Sequence, residues 1–495
     1  MRNVRVVGGM LCAVLWVVQV ASGRSFFVSA SGNDSGPGTV TAPWRTLAKA
    51  NSSLVAGDTV FVRAGTYHEN IIPANAGIAG KPIVYKSYPG EFVLVDGAKD
   101  NNLNIVKVSR DYIVIEGFSF TNLEYYDIPG NKEYWVILEA KHTIFRYNRI
   151  VAAGDPYNNV WSRNARSRGI AEVGQHNTIE HCFVRGVDYG IVIAGRSSPR
   201  YTILRYDTVY ATADNNIDIG STSDGSTAYH GTLIEYCVLD TSFIEDNIQF
   251  EPDYGDPTTT SHNRGIIIRN NRMGNAAENA IDLKGAGHTL IEKNVIYTSL
   301  GDDNGPLGGN DITSGGGITS NPNTPTRCTI IRNNLIWDHS TGMDMAEGDR
   351  YYNNTVLNNR RSYQGPNQSG QNFVALRAFN YSQTKRAFVN NIVGMQGQSP
   401  LFEWRMDYGD KFTLNNNLYY EPAGAVRFYH RVNGTMQTTA GLQGWRNALG
   451  TYGGYTYLQG KDAQSIEADP KFVNLPSYPA GYQASWNFGV QAGSP

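Results

Sequence analysis

An all-β solenoid, a single-stranded parallel β-helix closed by a cap at each end, is the fold that three observations in this sequence predict. The first is a repeated pattern, (apolar)-x-x-(Asn-like)-x-(apolar), anchored at Phe145, Ile179, Leu204, Ile234, Ile268, Ile291, Ile331, Tyr351, Phe388 and Leu414. The second is the residue three places past each anchor: Asn148, Cys182, Asp207, Cys237, Asn271, Asn294, Asn334, Asn354, Asn391 and Asn417. Seven of these ten are Asn, which tolerates left-handed bends at corners and whose amide bonds an identical neighbour above and below. Such a ladder requires one repeat per turn of a parallel coil. The third is spacing, which varies from 20 to 40 residues between anchors. Leucine-rich and helical solenoids keep a tighter unit, whereas insertions leave a β-helix from its corners without disturbing the stacked strands. A β-propeller, the runner-up, needs antiparallel four-stranded blades and larger units.

Taken in order, the chain opens on Arg2 and Arg5, the apolar run Val6 to Val20 and the small residues Ala21-Ser22-Gly23. This reads as a signal peptide over 1–23, short and wrongly flanked for a membrane span, with a signal anchor as the alternative. No second long apolar run follows, so the mature chain is expected to be secreted, monomeric and free of stable membrane insertion. Residues 24–79 read as an N-terminal cap with its leading strands, including a short helix near 45–54. Residues 80–420 carry the coils, with Ile115-Glu-Gly-Phe-Ser-Phe120 as an early, degenerate one. In 421–495 the repeat fades into a capping segment with a short helix over Leu442–Ala448, as the exposed last coil requires. Net charge is −2 without clustered basic residues, which excludes a nucleic-acid partner. With Cys12 lost in the signal, Cys182, Cys237 and Cys328 form no disulfide framework, and buried free thiols are expected.

The charges line up on a second strand of each coil, superposed on Ile191, Ile217, Ile248, Ile281 and, after a long insertion, Met343. Side chains alternate along a strand, so the next residues face outward: Val192, Asp218, Gln249, Asp282 and Asp344. Two places on stand Ala194, Gly220, Glu251, Lys284 and Ala346. At the preceding corner the column reads Asp188, Asp214, Glu245, Glu278 and Ser340. Four acids stacked ~4.8 Å apart repel by roughly 1–3 kcal/mol per adjacent pair. A hard cation bound by oxygen ligands removes that cost, and Ca²⁺ is the candidate; the alternative is a solvated acidic corner with splayed side chains. A bound cation would push Lys284 toward its neutral, proton-accepting form. Against that, Glu251 is the direct neighbour of Lys284 in this register, and an ordinary salt bridge would hold the lysine charged. Glu251 and Asp282, one coil and one outward step apart, would also fit the carboxylate pair of an inverting hydrolase.

Two insertions flank these coils. That at 155–168 places Trp161 among Arg163, Arg166 and Arg168, and aromatic faces stack on sugars while arginine forks bind carboxylates. The other runs over 302–310. A surface loop is the plain reading of both. Arg264 and Arg269 are further candidates for an acid or a carboxylate clamp.

The opening Phe26-Phe-Val-Ser-Ala-Ser-Gly-Asn33 with Pro43-Trp-Arg-Thr46 resembles the N-terminal caps of secreted right-handed β-helix enzymes that act on polysaccharides. Asp214-Asn-Asn-Ile-Asp218 and Glu245-Asp-Asn-Ile-Gln249, followed by Ala280-Ile-Asp-Leu-Lys-Gly285, resemble the active coils of family-9 pectate lyases. That resemblance implies a right-handed helix, an acidic polysaccharide substrate, and β-elimination assisted by Ca²⁺. It assigns Asp214, Asp218, Glu245 and Asp246 as calcium ligands, with Asp188 or Glu278 assisting, and Lys284 as base. The sequence departs from the family in that Asp282 fills the slot where the family lysine usually sits, two residues before Lys284. The strand from Glu278 to Lys284 also resembles family-6 alginate and chondroitin lyases, but their following-coil arginine is replaced by Gly315-Gly-Gly-Ile-Thr319. Glycoside hydrolases on the same helix, and a non-catalytic glycan-binding helix, are the alternatives. The second predicts no acidic column confined to the coils between 188 and 284.

Overall fold

The computed structural model describes residues 23–97, 104–121, 134–152, 168–193, 200–220, 231–250, 265–283, 287–299, 316–319, 329–339, 341–345, 349–358, 374–378, 386–395, 400–404, 412–422, 424–432, 435–451, 460–474 and 487–494. Short strands follow one another around a coil and pair with their equivalents in the next coil, giving three long sheets of 14, 14 and 13 strands among these residues. The first runs from Ser25–Val28 to Phe412–Asn415, and the second from Gly65–Tyr67 to Ile466–Glu467. The third runs from Val106–Val108 to the antiparallel hairpin Arg427–Val432/Thr435–Ala440. Every other pairing within these three sheets is parallel, as a solenoid requires and a propeller forbids.

All ten anchors stack in register on the first sheet, from Phe145↔Ile179 to Phe388↔Leu414. Above them the column continues through Ile115, Tyr85 and Val60 to Phe26, so the parallel stack reaches the chain's first described strand. The anchors are buried in one continuous core that fills the coil interior.

The asparagine column is a hydrogen-bonded ladder at the corner after the first sheet. The Oδ1 of Asn294, Asn334, Asn354, Asn391 and Asn417 each accepts the backbone N–H and the Nδ2 of the asparagine one coil above. The Nδ2 groups of Asn271, Asn294, Asn334 and Asn354 each also donate to the carbonyl of the anchor one coil above, Ile234, Ile268, Ile291 and Ile331. The residue before each member of this column has a left-handed backbone; Asn holds that place at Asn333 (φ 58°) and Asn353 (φ 54°), and Tyr147, His181 and Lys293 adopt it too. Cys182 and Cys237 occupy the same column as buried free thiols, as expected; Cys328 lies outside the described residues. Asn334→Ala would strand the Asn294 N–H and the Ile291 carbonyl in the interior. A loss of roughly 2–4 kcal/mol in denaturant unfolding is expected, and a change below about 0.5 kcal/mol would show that the ladder does not hold the coils.

The ends are closed by the two predicted helices. Leu47–Ser53 is capped by the Thr46 side chain, which accepts from the Lys49 N–H, and buries Leu47 and Ala50 against the first coils. At the other end Leu442–Thr451 lays Trp445 flat on Phe428, 4.9 Å between rings. The Asn417 N–H donates to Ser465 Oγ, so the capping segment also terminates the asparagine ladder.

The outward positions one place after each anchor form a second regular column. Lys86, Glu116, Arg146, Glu180, Arg205, Glu235, Arg269, Glu292 and Arg332 follow in register and alternate in sign. Alternation places unlike charges in adjacent coils, whereas a slip of one coil would set like against like.

Candidate active site and cation-binding corner

The third sheet carries the acidic column. Ile191, Ile217, Ile248 and Ile281 stack in register with their side chains inward, which turns Val192, Asp218, Gln249 and Asp282 outward as expected. One correction is needed below them. Ile281 pairs with Ile318, and Ile318 with Met343, so the coil of Gly316–Thr319 separates Asp282 from Asp344. Asp344 is therefore two coils from Asp282, not its neighbour.

At the corner entering this sheet, the Asp214 N–H donates to the Asp188 carbonyl and the Glu278 N–H to that of Glu245, 2.9 and 3.0 Å. These hydrogen bonds stack the acids coil upon coil. The next slot reads Tyr189, Asn215, Asp246 and Asn279. Ligand oxygens of Glu245, Asp246 and Glu278 all lie within 4.8 Å of one another. Two oxygens on one Ca²⁺ at 2.3–2.6 Å are at most about 5 Å apart, so this donor set fits a hard cation.

Amides hold the carboxylates in place. Asn215 Oδ1 accepts the Asp246 N–H (2.9 Å), Asn215 Nδ2 donates to Gln249 Oε1 (2.7 Å), and Gln249 Nε2 donates to Glu245 Oε2 (3.3 Å). Asp246 Oδ1 accepts the Asn279 N–H (2.6 Å). Behind them Asn216 Nδ2 donates to Asn247 Oδ1 (2.6 Å), and Asn247 Nδ2 to the Gly274 carbonyl. Burial, and then the nearby Glu245 and Asp188, push the Asp214 carboxyl well above the usual carboxylate range, while a hydrogen bond from Tyr189 works against that rise. Burial, and then the charge of Asp214, raise the Tyr189 phenol in turn.

Arg168 pairs in register with Tyr189, and its guanidinium lies 5.2 Å from the centre of the Tyr189 ring. Arg168 thus stands at the upstream end of the acidic column, buried, and Tyr189 joins it to Asp214. Sequence reasoning did not single out Tyr189, although its slot is the one that holds Asp246 two coils on. Asp188, Asp214, Asp218, Glu245, Asp246, Glu278 and Asp282 come together along this edge. Arg269 does not: it sits on the first sheet and binds Glu235 at 2.8 Å. Trp161, Arg163, Arg166, Glu251, Arg264 and Lys284 lie outside the described residues, as do residues 1–22, which carry most of the expected signal peptide.

The model of the family described as "Pel9A-like, right handed beta helix region" matches residues 26–248. Over these residues the chain is similar to a Pel9A-like right-handed β-helix. The match spans the N-terminal cap and the acidic corner as far as Ile248, so the resemblance to family-9 pectate lyase-like proteins and the right hand of the helix are shown. Over 76 residues the chain is 43% identical to the uncharacterized protein YwoF of Bacillus subtilis, covering 15% of this chain and 16% of that protein. Over 110 residues it is 31% identical to pectate lyase PEL9 of Emericella nidulans, covering 21% of this chain and 26% of that one. The chain thus spans about a sixth and a quarter of these curated relatives. A mannuronic acid-specific family 6 polysaccharide lyase from human gut microbiota superposes over 92% of both chains with a TM-score of 0.54 at 15% identity, which shows the shared fold. No helix among the described residues is long and apolar enough to cross a membrane.

Proposed function

We propose that this protein is a secreted polysaccharide lyase that cleaves a uronate-containing polysaccharide by Ca²⁺-assisted β-elimination. The observation that carries the reading is the convergence of Glu245, Asp246 and Glu278 oxygens beside Asp214 and Asp218, on coils that resemble a pectate lyase family. Asp214, Asp218, Glu245 and Asp246 are the proposed ligands, assisted by Asp188 or Glu278. A divalent cation held by these residues would supply positive charge against the uronate carboxylate, which would acidify the C5 proton.

The chain's own groups do the rest. Lys284, two residues beyond Asp282, is the proposed base and takes the C5 proton in its neutral form. The C5–H electron pair becomes the C4–C5 double bond, and the C4–O bond breaks with its pair moving to the leaving oxygen. A proton from solvent or an acid group completes that hydroxyl. Arg168, buried against the Tyr189 ring at the upstream end of the column, is the proposed source of positive charge toward the substrate's anionic groups.

The test is a panel of pectate, alginate, glycosaminoglycan, ulvan and neutral xylan, with ultraviolet absorbance and reducing ends read together. Both signals are expected to rise on one acidic polymer and to vanish in Lys284→Ala and in chelator. Reducing ends without absorbance, abolished by Glu251→Gln or Asp282→Asn, would establish a hydrolase instead.

A further inference from the structure

We propose that the outer face of the first sheet is a second binding surface, separate from the acidic corner, that holds an anionic polysaccharide chain lying along the helix axis. Its ligand class is the one proposed for the active site, but binding here requires neither a cation nor catalysis.

The alternating column on this sheet is not neutral as solvent meets it. The side chains of Lys86, Arg146, Arg205, Arg269 and Arg332 are 36–45% exposed, whereas the glutamates they pair with are 9–10% exposed. The carboxylates lie beneath and the cations above. Arg205, Arg269 and Arg332 each spend Nε and Nη2 on a glutamate one coil away, which leaves Nη1 for a second acceptor, whereas Arg146 Nη1 already lies 3.6 Å from Glu180 Oε1. Five cations therefore recur every second coil, roughly 9.6 Å apart, over a run of roughly 38 Å. A protein with a net charge of −2 has no overall attraction for a polyanion, so retention must come from a local feature of this kind.

The geometry suits an extended sugar chain. One pyranose of such a chain is about as long as one coil is thick, and in a chain with a twofold twist alternate sugars turn the same edge outward. Every second uronate carboxylate then meets a cation. Along one edge of the row stand Tyr147, His181, Tyr206 and Tyr236, each the next residue after a rung of the column. Their rings stack 4.8–5.1 Å apart and within 11° of parallel. Because the faces cover one another, the exposed parts are ring edges and hydroxyls, which serve as hydrogen-bonding groups for sugar hydroxyls.

Affinity gel electrophoresis at pH 8 in chelator, with polygalacturonate, alginate or hyaluronate in the gel and neutral xylan as control, tests the surface. Retardation of the wild type by at least one polyanion and not by xylan is expected. Arg205→Gln/Arg269→Gln should weaken it at least tenfold. Glu180→Gln/Glu235→Gln, which disturbs the same ion pairs but leaves the cations, should bind as tightly or tighter. Tyr206→Asp/Tyr236→Asp keeps every ion pair and sets negative charge beside the row in residues that tolerate a left-handed backbone. It should weaken binding as the arginine pair does, and it carries the test should the arginine pair not fold. No retardation by any of the three polyanions, equal retardation by xylan, or unchanged binding in the Asp variant overturns the proposal. With chelator present, these outcomes do not depend on whether the lyase assay succeeds.

Discussion

If the proposed lyase reading holds, Asp246→Asn is expected to lower that activity at least about 100-fold, because several kcal/mol of charge stabilisation would go with the cation that Asp246 is proposed to hold. The substitution spares the local fold, since the new Oδ1 can still accept the Asn279 N–H that Asp246 accepts at 2.6 Å. Its effect on stability should have the opposite sign to its effect on activity. Without a cation, one negative charge is removed from a cluster whose oxygens lie within 4.8 Å, so the variant should melt higher than wild type in chelator. With Ca²⁺ at about 100 times the dissociation constant, the wild type should gain about 2.7 kcal/mol and the variant much less. A calcium-induced rise in Tm of equal size in both proteins would remove Asp246 from the ligand set.

Asp207→Asn should stabilise the protein, and increasingly so as pH rises. Asp207 stands in the asparagine column, where its Oδ1 accepts the Cys182 N–H at 2.8 Å, and burial pushes its carboxyl up to about 8. Below pH 4 both the folded and the unfolded chain hold this proton, and the residue carries no penalty. Between pH 4 and 8 the unfolded chain releases it while the folded chain keeps it, so stability falls by about 1.4 kcal/mol per pH unit from this group alone. Above pH 8 both states are ionised and the loss is constant. Asparagine has no proton to release, and its Nδ2 can donate to a carbonyl as Asn271 donates to Ile234. The gap in denaturant midpoint between variant and wild type should widen from pH 5 to pH 8 by several kcal/mol. Parallel pH profiles would show that Asp207 is ionised in the fold at neutral pH.

The asparagine column was legible because a side-chain hydrogen bond between identical neighbours imposes one residue type at one place per coil. The same superposition revealed Asp218, Gln249 and Asp282, since parallel pairing keeps register across coils whatever the insertion length. It failed at Gly316–Thr319, where a long insertion separates the strand from its own coil and glycines replace the polar slots. Arg269 was drawn toward the acidic corner by its nearness in sequence. Its position one place after the anchor Ile268 already assigns it to the first sheet, where Glu235 holds it. The alternating charge column was readable by that rule too. The contact of Tyr189 with Asp214 was not, because it depends on where two unlike side chains meet across a corner, and no repeat records that.

The most direct measurement is the mass of the products formed from the cleaved polymer in heavy-oxygen water. β-Elimination predicts a new non-reducing end lighter by one water than a hydrolytic end, with no heavy oxygen incorporated during bond cleavage. Products of full hydrolytic mass carrying one heavy oxygen per cleavage would contradict the account and make the acidic corner the site of a hydrolase.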